Sequence, residues 1–183
     1  MSQIDRLKEN YERFVRLPWQ KSLAGSQRVW FAVYPPSEER RLRAKIQEFE
    51  MATRDAKHSW HPVDITDEFA QWMGSHEYRD DYFAEPEALA TVEEELRDHI
   101  VARLKSACES VDDDSVIAVL GAGTLFGFTH ISSVVSALES SIRGRLLVFF
   151  PGEYERNLYR FMDARDGFNY MAVPITCGEM IKI

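Results

Sequence analysis

Apolar positions along this chain follow two rhythms, short unbroken runs and helical spacings of three and four. The clearest run is Val116–Leu120, which suits a strand buried on both faces of a parallel sheet. It breaks at Gly121, Gly123 and Gly127 and resumes as Ile131, Val134, Val135 and Leu138 at helical spacing. The pattern therefore predicts a buried strand, a tight glycine turn and a helix returning across the sheet. No charged residue interrupts Val116 to Leu138, and that length matches a membrane span. Three glycines, three serines, two threonines and a histidine dilute the stretch, and Asp112, Asp113 and Asp114 precede it, so the strand–turn–helix reading is preferred.

The same two rhythms organise the rest. Residues 3–17 predict an amphipathic helix with Ile4, Leu7, Tyr11, Phe14 and Val15 on one face, stopped before Pro18. Val29–Tyr34 is a strand rich in β-branched and aromatic residues, halted by Pro35 and Pro36. Ser37 then caps a helix running to about Arg54, with Leu42, Ile46 and Phe49 inward. Pro62–Ile65 predicts a second strand, followed by a brief helix through Phe69, Trp72 and Met73. Residues 74–84 show no period and predict a loop. A long helix is expected from about Glu87 to Glu109. Leu146–Phe150 predicts another buried strand, adjacent to Val116–Leu120 because a crossover of this length joins neighbours. Pro151-Gly152 is expected to turn it, with Glu153 opening a helix through Leu158, Phe161 and Met162. The stretch Val33–Leu42 resembles Phe149–Leu158, each reading as strand, proline turn, acidic residues and helix, which is taken as convergent turn and capping chemistry. Tyr170–Ile175 predicts a last strand, placed at an edge by Pro174. The alternation predicts an α/β fold, a mainly parallel, Rossmann-like sheet of about five strands flanked by helices, with an N-terminal amphipathic helix. Its length of 183 residues suits one domain, with 1–27 as a helical extension.

Composition narrows the function. The net charge of −8 argues against a broad grip on nucleic acid. Arg40, Arg41, Arg43 and Lys45 lie close together and read as a solvated helix face. The two cysteines, Cys108 and Cys177, have no CxxC partner, so they read as free thiols in a reducing compartment, and no zinc site is expected. No apolar leader opens the chain, and the expectation is a cytoplasmic protein.

Candidate chemistry is sparse. Gly121-x-Gly123 between strand and helix is the start of a dinucleotide-binding turn, but Phe126 stands where the third glycine belongs. A Walker-type loop needs a lysine that is missing. Gly121, Gly123 and Thr124 remain weak anion-loop candidates, and the helix start near Thr129 is a second weak one. His58 and His61 flank Trp60 without a carboxylate at ligand spacing, and no nucleophile–base set is legible, so no catalytic or metal-binding residues and no cofactor are expected.

Three segments carry a family resemblance: Leu120-Gly121-Ala122-Gly123-Thr124-Leu125-Phe126, then Ser132-Ser133-Val134 with Leu138, then Arg145-Leu146-Leu147-Val148-Phe149-Phe150-Pro151-Gly152-Glu153-Tyr154. With Val33-Tyr34-Pro35-Pro36 they resemble the BrxB family of bacteriophage-exclusion (BREX) systems, over most of the chain from about residue 28. The resemblance implies a non-catalytic assembly component of phage defence, with a PglZ-like protein of phosphatase-type fold as partner; the acidic charge and the diluted apolar stretch add the expectation of no direct nucleic-acid binding and no membrane. Gly127 stands where the family often has proline and His130 where it often has arginine, which implies a divergent subtype. Two segments are the expected partner contacts, Gly152-Glu153-Tyr154 and the aromatic stretch holding Tyr78 and Tyr82; both are expected in loops off the core. The alternative is a nucleotide- or phosphate-binding enzyme subunit working through residues 121–127.

Overall fold

A computed structural model describes residues 1–178. Five strands are parallel, in the spatial order β2 (Ser59–Asp64), β3 (Ser115–Leu120), β4 (Arg145–Glu155), β1 (Val29–Tyr34), β6 (Val173–Ile175). A sixth, β5 (Leu158–Phe161), pairs antiparallel with the far end of β4. The three central strands β3, β4 and β1 are the continuous apolar runs of the sequence, and every residue of β1 and β3 is buried. Strands β3 and β4 are adjacent as the crossover rule requires, with Ile117 opposite Leu146. Pro62 and Pro174 fall on β2 and β6, the two edges, where a missing N–H interrupts no second ladder.

Alternation along the strands divides the core in two. Trp30, Ala32 and Tyr34 face α1 (Gln3–Val15), α2 (Glu39–Ala44) and α3 (Ile46–Asp55), packing with Leu7, Tyr11, Leu42 and Phe49. Val29, Phe31 and Val33 face the opposite layer, built from α4 (Glu68–Ser75), α6 (Glu93–Glu109) and α7 (Ile131–Leu138). A short helix α5 (Arg79–Ala84) lies between α4 and α6. Each fully buried Leu or Phe is worth about 1.5–3 kcal/mol, so both layers contribute to stability.

Several expectations need correction. The helix expected at 37–54 is two, because Lys45 (φ −109°, ψ 4°) leaves the helical region between them. The long helix begins at Glu93, after a 3₁₀ segment Pro86–Val92. Residues 79–84, expected as loop, are helical. The largest error is at the end of β4. Pro151 and Gly152 do not stop the strand, and no helix follows; the chain runs on to Glu155, turns over Arg156 and Asn157, and returns as β5. Both turn residues have positive φ (51° and 64°), the two-residue arrangement whose twist matches a hairpin. Gly152 shows why glycine is needed: a Cβ there would lie 2.8 Å from the Phe150 ring and closer still to the Arg160 carbonyl. The last strand is also shorter than expected, beginning at Val173.

Candidate interaction site at the carboxyl edge

The connection leaving β1 runs over one face of the sheet and the one leaving β3 over the other, so a crevice opens where the chains diverge at the carboxyl ends. It has a volume of about 300 Å³ and is lined by Pro36, Arg43, Thr66, Gly123, Pro151 and Met162 among others. Gly121 sits at its floor in the left-handed region (φ 82°). A Cβ at Gly121 would lie 2.7 Å from the Thr66 amide nitrogen, so this glycine lets the β2 and β3 loops touch.

The donors of Thr124 and Phe126 in the turn are used internally. The Thr124 amide and hydroxyl both donate to the Gly121 carbonyl, at 3.1 and 2.8 Å, and the Phe126 amide donates to Gly123 O at 3.2 Å. Helix α7 starts at Ile131 behind His130, whose side chain makes no capping bond, and the Thr129 amide is held by Leu125 O. The cation of the crevice is similarly committed. Arg43 donates through Nε to Glu39 (2.7 Å), through Nη1 to Asp64 (2.9 Å) and through Nη2 to Thr66 Oγ1 (2.7 Å). Burial pushes the Asp64 carboxyl up, but the bonds from Arg43 and Thr66 outweigh it and hold Asp64 below its ordinary value. Burial and the Glu39 carboxylate raise the Tyr34 phenol, which donates to Glu39.

The expected contact residues lie in two places. Gly152, Glu153 and Tyr154 are strand residues of the β4–β5 hairpin and not a loop. Gly152 is buried, Glu153 is exposed and 3.4 Å from Arg160, and Tyr154 is half-buried with its ring 4.6 Å from that of Tyr159. Tyr78 is exposed at the start of α5, whereas Tyr82 is half-buried and packs on the core. Both rings surround His76, whose Nδ1 accepts the Tyr78 amide proton and whose Nε2 therefore faces Glu95 as the donor. No hydrogen bond, ion pair or aromatic contact among the described residues joins this cluster to the hairpin.

Sequence reasoning missed the exposed apolar residues beside the hairpin. Leu158 on β5 and Phe126 after the glycine turn are both large and open to solvent. Phe126 lies edge-on to Phe161 at 6.0 Å and lines a groove of about 550 Å³ shared with Phe128, Phe161 and Phe168. Phe161 and Phe168 lie 35 and 42 residues from Phe126, so only the hairpin fold brings them to one wall.

Of the basic cluster, Arg41 pairs with Glu38 at 2.6 Å, Arg43 with Glu39 and Asp64, and Lys45 with Asp5 and Glu48, as a solvated helix face does. Among the described residues no group of three His, Cys, Asp or Glu side chains is placed to hold a metal, and no helix is long and apolar enough to cross a membrane.

A family model described as BREX protein BrxB matches residues 64–175. The match begins at the end of β2, so the expected likeness from residue 28 to 63, including Val33–Pro36, lies outside it. No curated protein and no solved structure matches the chain.

Proposed function

The chain belongs to the BrxB family of BREX proteins and is a phage-defence component; from that premise we propose that it is a non-catalytic assembly subunit that docks a PglZ-like partner through the β4–β5 hairpin and the adjoining phenylalanine groove. The observation that carries this reading is the pairing of solvent-exposed Phe126 and Leu158 with a carboxyl edge whose charges are already satisfied internally. Exposed apolar side chains such as Phe126 on the groove and Leu158 on the hairpin suit a protein surface, where aromatic anchors carry much of the binding energy. In the turn at 121–124 the Thr124 hydroxyl and amide are spent on Gly121 and are not offered to a nucleotide. In this reading the site of action is the cytoplasm.

The test is co-elution of the protein with the PglZ-like product of its own operon in size-exclusion chromatography. One shared peak is expected, and Leu158→Glu and Phe126→Ser should each shift the pair towards separate peaks while circular dichroism stays unchanged. Tyr154→Ala is a weaker probe, since Tyr154 also packs on Tyr159. Separate migration of the wild-type proteins at micromolar concentration overturns the docking reading. Saturable ATP turnover by the pure protein, abolished by Gly123→Val, overturns the non-catalytic one.

A further inference from the structure

The opposite end of the sheet carries a different arrangement. Residues at the starts of four neighbouring strands converge there: His58 before β2, Asp114 before β3, Arg145 opening β4 and Arg28 before β1. Because Val29 pairs with Leu146, Arg28 and Arg145 begin adjacent parallel strands side by side. With Trp19, Lys21, Arg143 and Asp112–Asp114 they line a cavity of about 580 Å³.

None of these cations has a direct ion-pair partner. Among the described residues, no carboxylate lies within ion-pair distance of Lys21, Arg28, Arg143 or Arg145. The guanidinium groups are held by main-chain carbonyls alone. Arg28 donates to Ile142 O (2.9 Å), Arg143 O (2.8 Å) and Lys21 O (3.0 Å), and Arg145 donates to Gly144 O and Gln20 O, both at 3.0 Å. Carbonyl dipoles fix a guanidinium in place without neutralising it. Arg145 is 4% exposed, and a buried charge without a partner is costly. Its guanidinium carbon lies 4.7 Å from the Trp19 ring centroid, a cation–π contact that offsets part of that cost. Trp19 is itself stacked on His58 at 3.6 Å, and His58 Nδ1 lies 2.6 Å from Asp114. The buried Nε of Arg28 and Nε1 of Trp19 also lack acceptors. Donors are thus in excess on this wall and acceptors are short.

We infer that this cavity is an oxyanion site, in which Arg28, Arg145 and Lys21 receive one phosphate- or carboxylate-type group. Burial and the neighbouring Arg28 charge pull the Arg145 pKa below its ordinary value, the direction expected for a cation waiting for an anion. The opposite wall limits what fits. Four cationic side chains face three aspartates, of which Asp114 is engaged with His58 and Asp112 with Ser115. With three aspartates opposite, the cavity carries too little net positive charge to follow a nucleic-acid backbone, so nucleic acid is a poor occupant. The inference concerns the edge remote from the hairpin and stands whether or not the docking reading holds.

The test titrates the protein at constant ionic strength with sodium pyrophosphate and, separately, with an acetylated, amidated tetraglutamate peptide, read by calorimetry. Saturable binding of pyrophosphate assigns a free phosphoanion; saturable binding of the peptide alone assigns an acidic side chain of a protein partner. Either supports the site, provided Arg28→Gln weakens binding by about tenfold or more, as loss of a charge-assisted hydrogen bond should. Lys21 is exposed and its ammonium bonds to nothing in the described residues, so Lys21→Ala keeps the fold and should weaken binding severalfold even if Arg28→Gln fails to fold. Arg41→Gln, on α2, should bind as the parent does. No saturation by either probe at millimolar concentration, or parental affinity in Lys21→Ala, overturns the inference.

Discussion

The two ends of one parallel sheet treat arginine in opposite ways. At the carboxyl end every nitrogen of Arg43 meets a side-chain oxygen of Glu39, Asp64 or Thr66. At the amino end Arg28 and Arg145 meet only backbone carbonyls. The first arrangement ties α2 to the end of β2 and the loop after it and leaves no charge for a ligand. The second holds charge ready and unspent. Crevice position alone therefore misleads here: the carboxyl edge, where α/β ligands usually sit, is the electrostatically quieter one.

The sharpest way to break the comparison is at Gly121. Gly121→Ala puts a Cβ against Thr66 in a left-handed backbone, and chemical denaturation should show a loss of about 3 kcal/mol. A change below about 1 kcal/mol would mean that the β2 and β3 loops are not locked as described.

Next come the arginines themselves. Arg43→Met should cost about 1 kcal/mol, since its partners are about a third exposed or more and water screens the pairs. Arg145→Met should be neutral or stabilising in buffer free of phosphate and carboxylate, because it removes an uncompensated buried charge. Equal losses for both variants would erase the contrast between the two ends.

A smaller effect is expected with acid. The Asp64 carboxyl titrates below its unfolded value of about 3.9, so the unfolded chain binds more protons in that range. Its contribution is complete above that pH and is lost as pH falls through the folded value. Asp64→Asn should flatten the decline of stability below about pH 4, measured by urea midpoints; an unchanged slope would remove Asp64 from the account.

The smallest effect uses one thiol near each end. Burial pushes Cys108 and Cys177 up to about 11. Both should react with iodoacetamide at pH 8 far more slowly than in urea, and the thiol that reacts first in mild urea identifies the end that opens first.

Much of this protein is determined by its letters. Val29–Tyr34, Val116–Leu120 and Leu146–Phe150 are apolar without alternation, and only burial on both faces satisfies such runs, so the parallel core was legible. Pro174 announced an edge strand because proline cannot serve two ladders. The hairpin was not legible. Glu153–Leu158 has the letters of a capped helix, and it becomes the turn of a hairpin because Phe150, Tyr159, Phe161 and Phe168 gather on one side of the two strands. Tertiary packing overrode local preference there, and with it moved Glu153 and Tyr154 from a helix start to a strand. The arginine pair was equally hidden. Arg28 and Arg145 are 117 residues apart, and nothing local distinguishes them from other arginines. Only the sheet order, which sets β1 beside β4, places two like charges together with no carboxylate within ion-pair distance among the described residues. Local pattern decides which segments bury; the pairing of distant strands decides which charges are left without partners.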